Sequence, residues 1–230
     1  MKGIFAFFLF LSATMQSQEA FDAGQKLYNA GQFQQAKVFF EKDFKENPNH
    51  LQSLEYLGDI QSQLKKWEAA VVYYQKLKLA KPTEANYHYK YGGALAMVAS
   101  KSNKFKALTL VDDIESSFES AIRCNPKHLE ARWALVELYL QLPGIFGGSE
   151  KKATNYAAEL SKLSAVDGWL AKGRIAEYFE RYTEAEKCYK KAIETGNSKT
   201  TYQRLSDLYK NKLNQPEKAK EIMQVFAAKS

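Results

Sequence analysis

The stretch "LEYLGDIQSQLKKWEAAVVYYQKLKLAKP", residues 54–82, sets the fold, because its residue types return at a fixed distance on either side. Gly24, Gly58 and Gly92 are spaced by 34 residues, and the same spacing separates Phe33 from Trp67, Ala36 from Ala70, Phe40 from Tyr74, and Pro48 from Pro82. Five columns held in phase define an internal repeat. Each unit reads as a helix, a short turn, a second helix and a proline-marked turn. Small residues stand where two helices approach most closely, and large ones fill the gap between neighbouring units, which is the logic of a helical solenoid. The 12 Gly and 5 Pro among 230 residues leave room for long helices. The expectation is an all-α protein.

Away from this core the pattern loosens. The third unit, from Tyr91-Gly92 to Phe118, Ala121 and Pro126, carries about ten extra residues. Apolar residues at Phe105, Leu108, Val111, Ile114, Phe118 and Ile122 keep helical spacing through that insertion, so it reads as a longer second helix. A fourth unit has Leu135 and Tyr139 before an insertion at residues 142–153, "LPGIFGGSEKKA". The fifth restores Trp169, Gly173, Tyr182, Ala185, Tyr189 and Ala192; a looser sixth has Tyr202, Leu205, Tyr209 and Ala219, with Pro216 opening its last helix.

Leu57-Gly58, Ala70, Tyr74 and Pro82 resemble the tetratricopeptide-repeat pattern of Leu-Gly, Ala, aromatic and Pro at the same offsets. The resemblance implies a right-handed solenoid of helical hairpins with about six repeats, near residues 18–50, 51–84, 85–128, 129–165, 166–198 and 199–230. It further implies a non-enzymatic scaffold whose first helices line a concave groove that receives an extended or helical peptide. Groove-facing columns hold Tyr28, Tyr56 and Asp59, Tyr89, Trp133 and Glu137, Arg174 and Tyr178, and Arg204. Tyr56, Tyr89, Trp133, Glu137, Arg174 and Tyr178 form the candidate partner-binding set, since aromatic and arginine side chains dominate binding hot spots. The long third and fourth units resemble those of exported bacterial tetratricopeptide proteins.

The chain opens with "MKGIFAFFLFLSATMQSQEA", a lone Lys2 and an apolar run that ends in small and polar residues. That is the build of a secretory signal peptide, too short to span a bilayer. Cleavage is expected after Ser17, with Thr14 as the rival, giving a soluble, periplasmic or secreted protein without stable membrane insertion. Cys124 and Cys188 lie two units apart and read as free packing residues ahead of a bridge. The charge of +7 is uneven: residues 51–110 hold nine Lys/Arg against four Asp/Glu, residues 181–230 eleven against six, and residues 111–180 eight against eleven. An acidic middle breaks any continuous basic stripe, so nucleic acid is not an expected partner.

The glycine-rich insertion is the one place that resembles an enzyme. It falls where the turn between two helices is due, with Pro143-Gly144 suited to a β-turn, Gly147 and Gly148 to positive φ, and Ser149 to an N-cap. The alternative is an anion nest of Gly147, Gly148 and Ser149 with Lys151 supplying charge, which would make the chain a binder of a small ligand. The phosphate-loop pattern and its preceding strand are missing. His50 and His128 each stand two residues after a proline and mark equivalent turn positions; with His88 they show no metal-ligand spacing. No catalytic residue, metal or cofactor is expected.

Overall fold

A computed structural model describes residues 19–229; the segment read as an export signal, residues 1–17, lies outside them. The described residues contain helices and turns and no strand. They divide into two compact units that meet between Cys124 and Asn125 in the sequence.

The first unit contains α1 (residues 19–29), α2 (Phe33–Glu46), α3 (Leu51–Gln63), α4 (Trp67–Ala80), α5 (Ala85–Lys101), α6 (Lys104–Thr109) and α7 (Val111–Cys124). The second contains α8 (Leu129–Gln141), α9 (Glu150–Leu163), α10 (Ala165–Tyr178), α11 (Tyr182–Gly196), α12 (Lys199–Asn211) and α13 (Pro216–Lys229). In each unit successive helices pack as antiparallel hairpins, and each second helix also packs on the first helix of the next hairpin.

The packing repeats residue by residue. Each second helix from α2 to α11 buries a trio spaced by four and three: Ala36, Phe40, Asp43; Ala70, Tyr74, Leu77; Ile114, Phe118, Ala121; Ala153, Ala157, Leu160; Ala185, Tyr189, Ala192. The middle position is the aromatic column, and its ring lies against the glycine of the first helix. A Cβ on Gly58 would meet Tyr74 Cε1 at 2.6 Å, and one on Gly173 would meet Tyr189 Cε1 at 2.4 Å. The fourth hairpin reverses the sizes, with Val136 in the glycine column and Ala157 in the aromatic column, both fully buried. In the sixth, Ser206 takes the glycine column and donates its hydroxyl to the Ala219 carbonyl at 3.0 Å.

The turns inside the hairpins repeat as well. Gly31, Lys65, Glu180 and Asn214 stand in phase, and all four have positive φ, between 50° and 73°. One left-handed residue reverses the chain each time.

The third hairpin departs from its sequence reading. Its second helix is not lengthened: α7 has 14 residues, as α4 does. The extra residues extend the first helix, α5, to 17 and add the short α6, which Asn103 starts by accepting the Lys106 amide at 2.9 Å. Helical spacing of apolar residues runs unbroken through 105–122, but Asn103 starts a separate helix ahead of it and the turn at Leu110 divides it.

Candidate functional site

The first helices place the candidate residues, and in the first unit most of them serve packing. Tyr56 on α3 stacks on Phe40 at 4.5 Å with the rings 2° from parallel, meets Phe21 and Tyr28 edge-on, and accepts a hydrogen bond from Gln25 Nε2 at 2.9 Å. The ring joins α1, α2 and α3. Tyr28 is half-buried, and burial, reinforced by the nearby Asp59 carboxylate, raises its hydroxyl above the usual range. Tyr89 is half-buried, 5.9 Å from Phe118.

Beside these rings lies a polar tie. Lys90 on α5 reaches both Asp59 oxygens at 2.8 Å and Glu55 at 2.5 Å, while the Tyr74 hydroxyl donates to Asp59 at 2.7 Å. Burial alone would lower the Lys90 ammonium; the two carboxylates outweigh it and hold the group above its ordinary value. The second unit repeats the device with the charges in the same order, the cation on the later first helix and the carboxylate on the earlier one. Arg174 on α10 forms a two-bond fork to Glu137 on α8 at 2.8 and 3.0 Å, and the Tyr189 hydroxyl donates to Glu177 at 2.7 Å. Such planar pairs fix orientation as well as adding attraction.

Trp133 is also structural. Its indole N–H donates to Asp167 Oδ1 at 2.7 Å, and its ring packs against the buried cluster of the second unit. Asp167 in turn accepts the hydroxyl of Ser164, the N-cap of α10. Tyr178 and Arg204 stand differently. Tyr178 is 41% exposed and meets Phe179 edge-on at 5.2 Å, with the Arg174 guanidinium 5.6 Å from its ring. Arg204 on α12 is exposed and has no ion-pair partner among the described residues. It borders an open depression shared with Lys199, Thr200, Gln203 and Asp207, and it is close enough to Tyr189 to join Arg174 in acting on that hydroxyl electrostatically.

The glycine loop is fully occupied by its own bonds. The amides of Gly147, Gly148 and Ser149 donate to the carbonyls of Gly144, Pro143 and Tyr139, and the Ser149 hydroxyl accepts the Lys152 amide at 3.2 Å as the cap of α9. The three amides assigned to an anion nest therefore have no donor left to offer one. Lys151 is exposed. Residues 144–146 form a single 3₁₀ turn, in which the Pro143 carbonyl accepts the Phe146 amide at 2.8 Å, and of the two glycines only Gly147 has positive φ, +96°. Gly148 is required by space, since a Cβ there would sit 1.8 Å from the Leu142 oxygen.

One catalytic-looking cluster was not apparent in the sequence. Asp43, fully buried, accepts from Ser53 Oγ and from His50 Nδ1, the latter at 2.6 Å, through the same oxygen. The serine proton is thus spent on the carboxylate and not on an imidazole base, so the trio ties the last turn of α2 to the start of α3. His50 and His128 do occupy equivalent places, the N-caps of α3 and α8. Both cysteines are free, Cys124 exposed and Cys188 buried. Among the described residues no three His, Cys, Asp or Glu side chains are grouped to hold a metal ion, and no helix is long and apolar enough to cross a membrane.

Residues 166–195, which span α10 and most of α11, match the family model "Tetratricopeptide repeat". The fold is shared with solved tetratricopeptide proteins. A thermophilic one from Thermus thermophilus is 18% identical over 90% of this chain and 99% of that chain, with a TM-score of 0.63. One from Parabacteroides merdae is 15% identical over 94% and 80%, with a TM-score of 0.66. YrrB, described as a tetratricopeptide protein with an unusual peptide-binding site, is 16% identical over 79% and 87%, at 0.55. No curated protein matches the sequence. The fifth hairpin thus matches the tetratricopeptide-repeat model, and the chain shares the helical-hairpin fold of solved tetratricopeptide proteins, with the glycine–aromatic pairs repeating along it.

Proposed function

We propose that the protein is a non-enzymatic scaffold of the cell envelope that binds a protein or peptide partner on its first-helix faces, chiefly that of the second unit. The observation that carries this reading is the contrast on that face. Glu137, Trp133 and Arg174 are engaged in holding helices together, whereas Tyr178 and Arg204 are left to solvent beside them. An exposed ring and an exposed guanidinium without an ion-pair partner, on a scaffold fixed by half-buried pairs, are the kind of preorganised anchors that hot spots use. The peptide-binding site in the description of YrrB is consistent with such a role. Residues 1–17 act as the export signal that delivers the chain to the envelope.

The test is site-specific photocrosslinking in intact cells. A crosslinking residue at position 178 or 204 is expected to give a discrete protein adduct, and one at Val38, exposed on the second helix α2, to give none. Equal labelling at all three positions, or none at any, would reject the first-helix face as the binding surface. The envelope assignment is read from fractionation and the mature N-terminus, expected after Ser17; an intact N-terminus in the cytosol would refute it. The alternative of a small-anion binder draws no support from the loop, whose amides are spent.

A further inference from the structure

Each unit contains one insertion in the repeat, and each insertion ends in an exposed apolar tip among lysines. In the first, α6 turns Leu108 inward and leaves Phe105 85% exposed. Lys104 and Lys106 flank it, both exposed, and the next carboxylates in the chain are Asp112 and Asp113 in the first turn of α7. In the second, the loop bonded through Pro143 and Tyr139 holds Ile145 at 86% and Phe146 at 44% exposure. Glu150 there is held by Arg181 at 2.5 Å, and the adjacent Lys151 is exposed, which leaves that tip basic. Ile145 and Phe105 are the two most exposed large apolar side chains among the described residues.

We propose that these two tips are contacts for an anionic lipid surface, each argued from its own unit and independent of the partner-binding face. A bilayer interface accepts a convex apolar point without a complementary pocket: the ring or branched chain enters the acyl boundary while neighbouring ammonium groups remain at headgroup depth. A protein partner would be matched instead by a rim of near-neutral contacts that exclude water around the anchor. The neighbours of Phe105 are solvated lysines. Attachment of this kind is peripheral and weak per tip, since a single short apolar group gives only reversible binding.

The experiment uses the full chain in co-sedimentation with vesicles rich in phosphatidylglycerol and with vesicles of phosphatidylcholine alone. The wild-type chain is compared with Phe105→Ser combined with Ile145→Ser and Phe146→Ser. Both carry the same N-terminal apolar segment, so the difference between them reports the tips. Partition onto the anionic vesicles is expected to fall by about tenfold in the apolar variant. A second variant, Lys104→Gln with Lys106→Gln and Lys151→Gln, is expected to lose about tenfold or more on anionic vesicles only. These side chains are solvent-exposed, and circular dichroism of each variant is expected to match the wild type. Equal partition of wild-type and substituted chains overturns the proposal, as does retention on polyglutamate without vesicle binding, which would point to an acidic protein.

Discussion

At Gly173 the absence of a side chain is a packing requirement, while at Gly93 it is not. A Cβ on Gly173 would lie 2.4 Å from the Tyr189 ring, and one on Gly93 would meet nothing within 4 Å. Gly173→Ala is therefore expected to destabilise by about 1–3 kcal/mol through overpacking. Gly93→Ala, inside α5, is expected to stabilise by about 1 kcal/mol from helix propensity. Equilibrium denaturation of the pair separates the two effects. Positive φ makes a third case. Glu180 sits at φ 59°, a conformation that costs a side-chain-bearing residue about 1 kcal/mol relative to glycine. Glu180→Gly is expected to raise the melting temperature, and a fall would show that its carboxylate contributes more than the strain removes. The glycine column was legible because its residue type is itself the signal. Lys65 and Glu180 carried no such mark, and their left-handed turns follow only from phase with Gly31.

The helix is the scale at which the sequence reading lost precision. Along a first helix, interior and outward columns lie one residue and about 100° apart. Tyr56, read as facing the groove, instead lies flat on Phe40 because its position borders the column that contacts α2. Trp133 was one of the six candidates, and its indole N–H is consumed by Asp167, one repeat length of 34 residues further on, a pairing that shows only once the two first helices are set side by side. Helix starts were better specified. Ser149 caps α9 and His128 caps α8 through their side chains, while His50 stands at the N-cap position of α3 without a side-chain capping bond. At α8 the cap is sensitive to pH. His128 Nδ1 accepts the Ala131 amide at 3.3 Å, which requires a neutral ring, and burial, aided by Arg132 and opposed by Glu130, holds the imidazole below its usual range. The unfolded chain takes up a proton as pH falls below about 6.5, where the folded chain resists it. The contribution of this cap is therefore complete above that value and is lost as pH drops through the lowered folded value. His128→Asn keeps a capping acceptor and is expected to flatten the dependence of melting temperature on pH between neutrality and pH 5. An unchanged slope would assign the acid sensitivity elsewhere.

For the molecule as a whole, periodicity carried the fold and the insertions escaped it. Repeating columns specify hairpins because each helix has to satisfy the same neighbours again. The ten residues inserted near 105 obey no such constraint, and their division into a longer α5 and a separate α6 rested on one asparagine. The binding surface was legible only in part. Arg174 and Glu137 were found by column, but the bond between them belongs to pairing across helices, and the residues it leaves accessible, Tyr178 and Arg204, could be ranked only once that pairing was seen. Charge exchange tests this pair: Arg174→Glu is expected to destabilise the chain, and adding Glu137→Arg to restore about half or more of the loss. Equal melting of the single and double variants would remove the fork from the list of features that fix α8 against α10.

The reversed sizes in the fourth hairpin also constrain how such a chain can be rearranged by recombination. A crossover between hairpins transfers Val136 together with Ala157 and leaves both partners matched. A crossover inside a hairpin turn would set a valine against a tyrosine, or a glycine against an alanine, and yield a clash in one chimera and a void in its reciprocal. Viable exchange points are thereby confined to one kind of turn out of two.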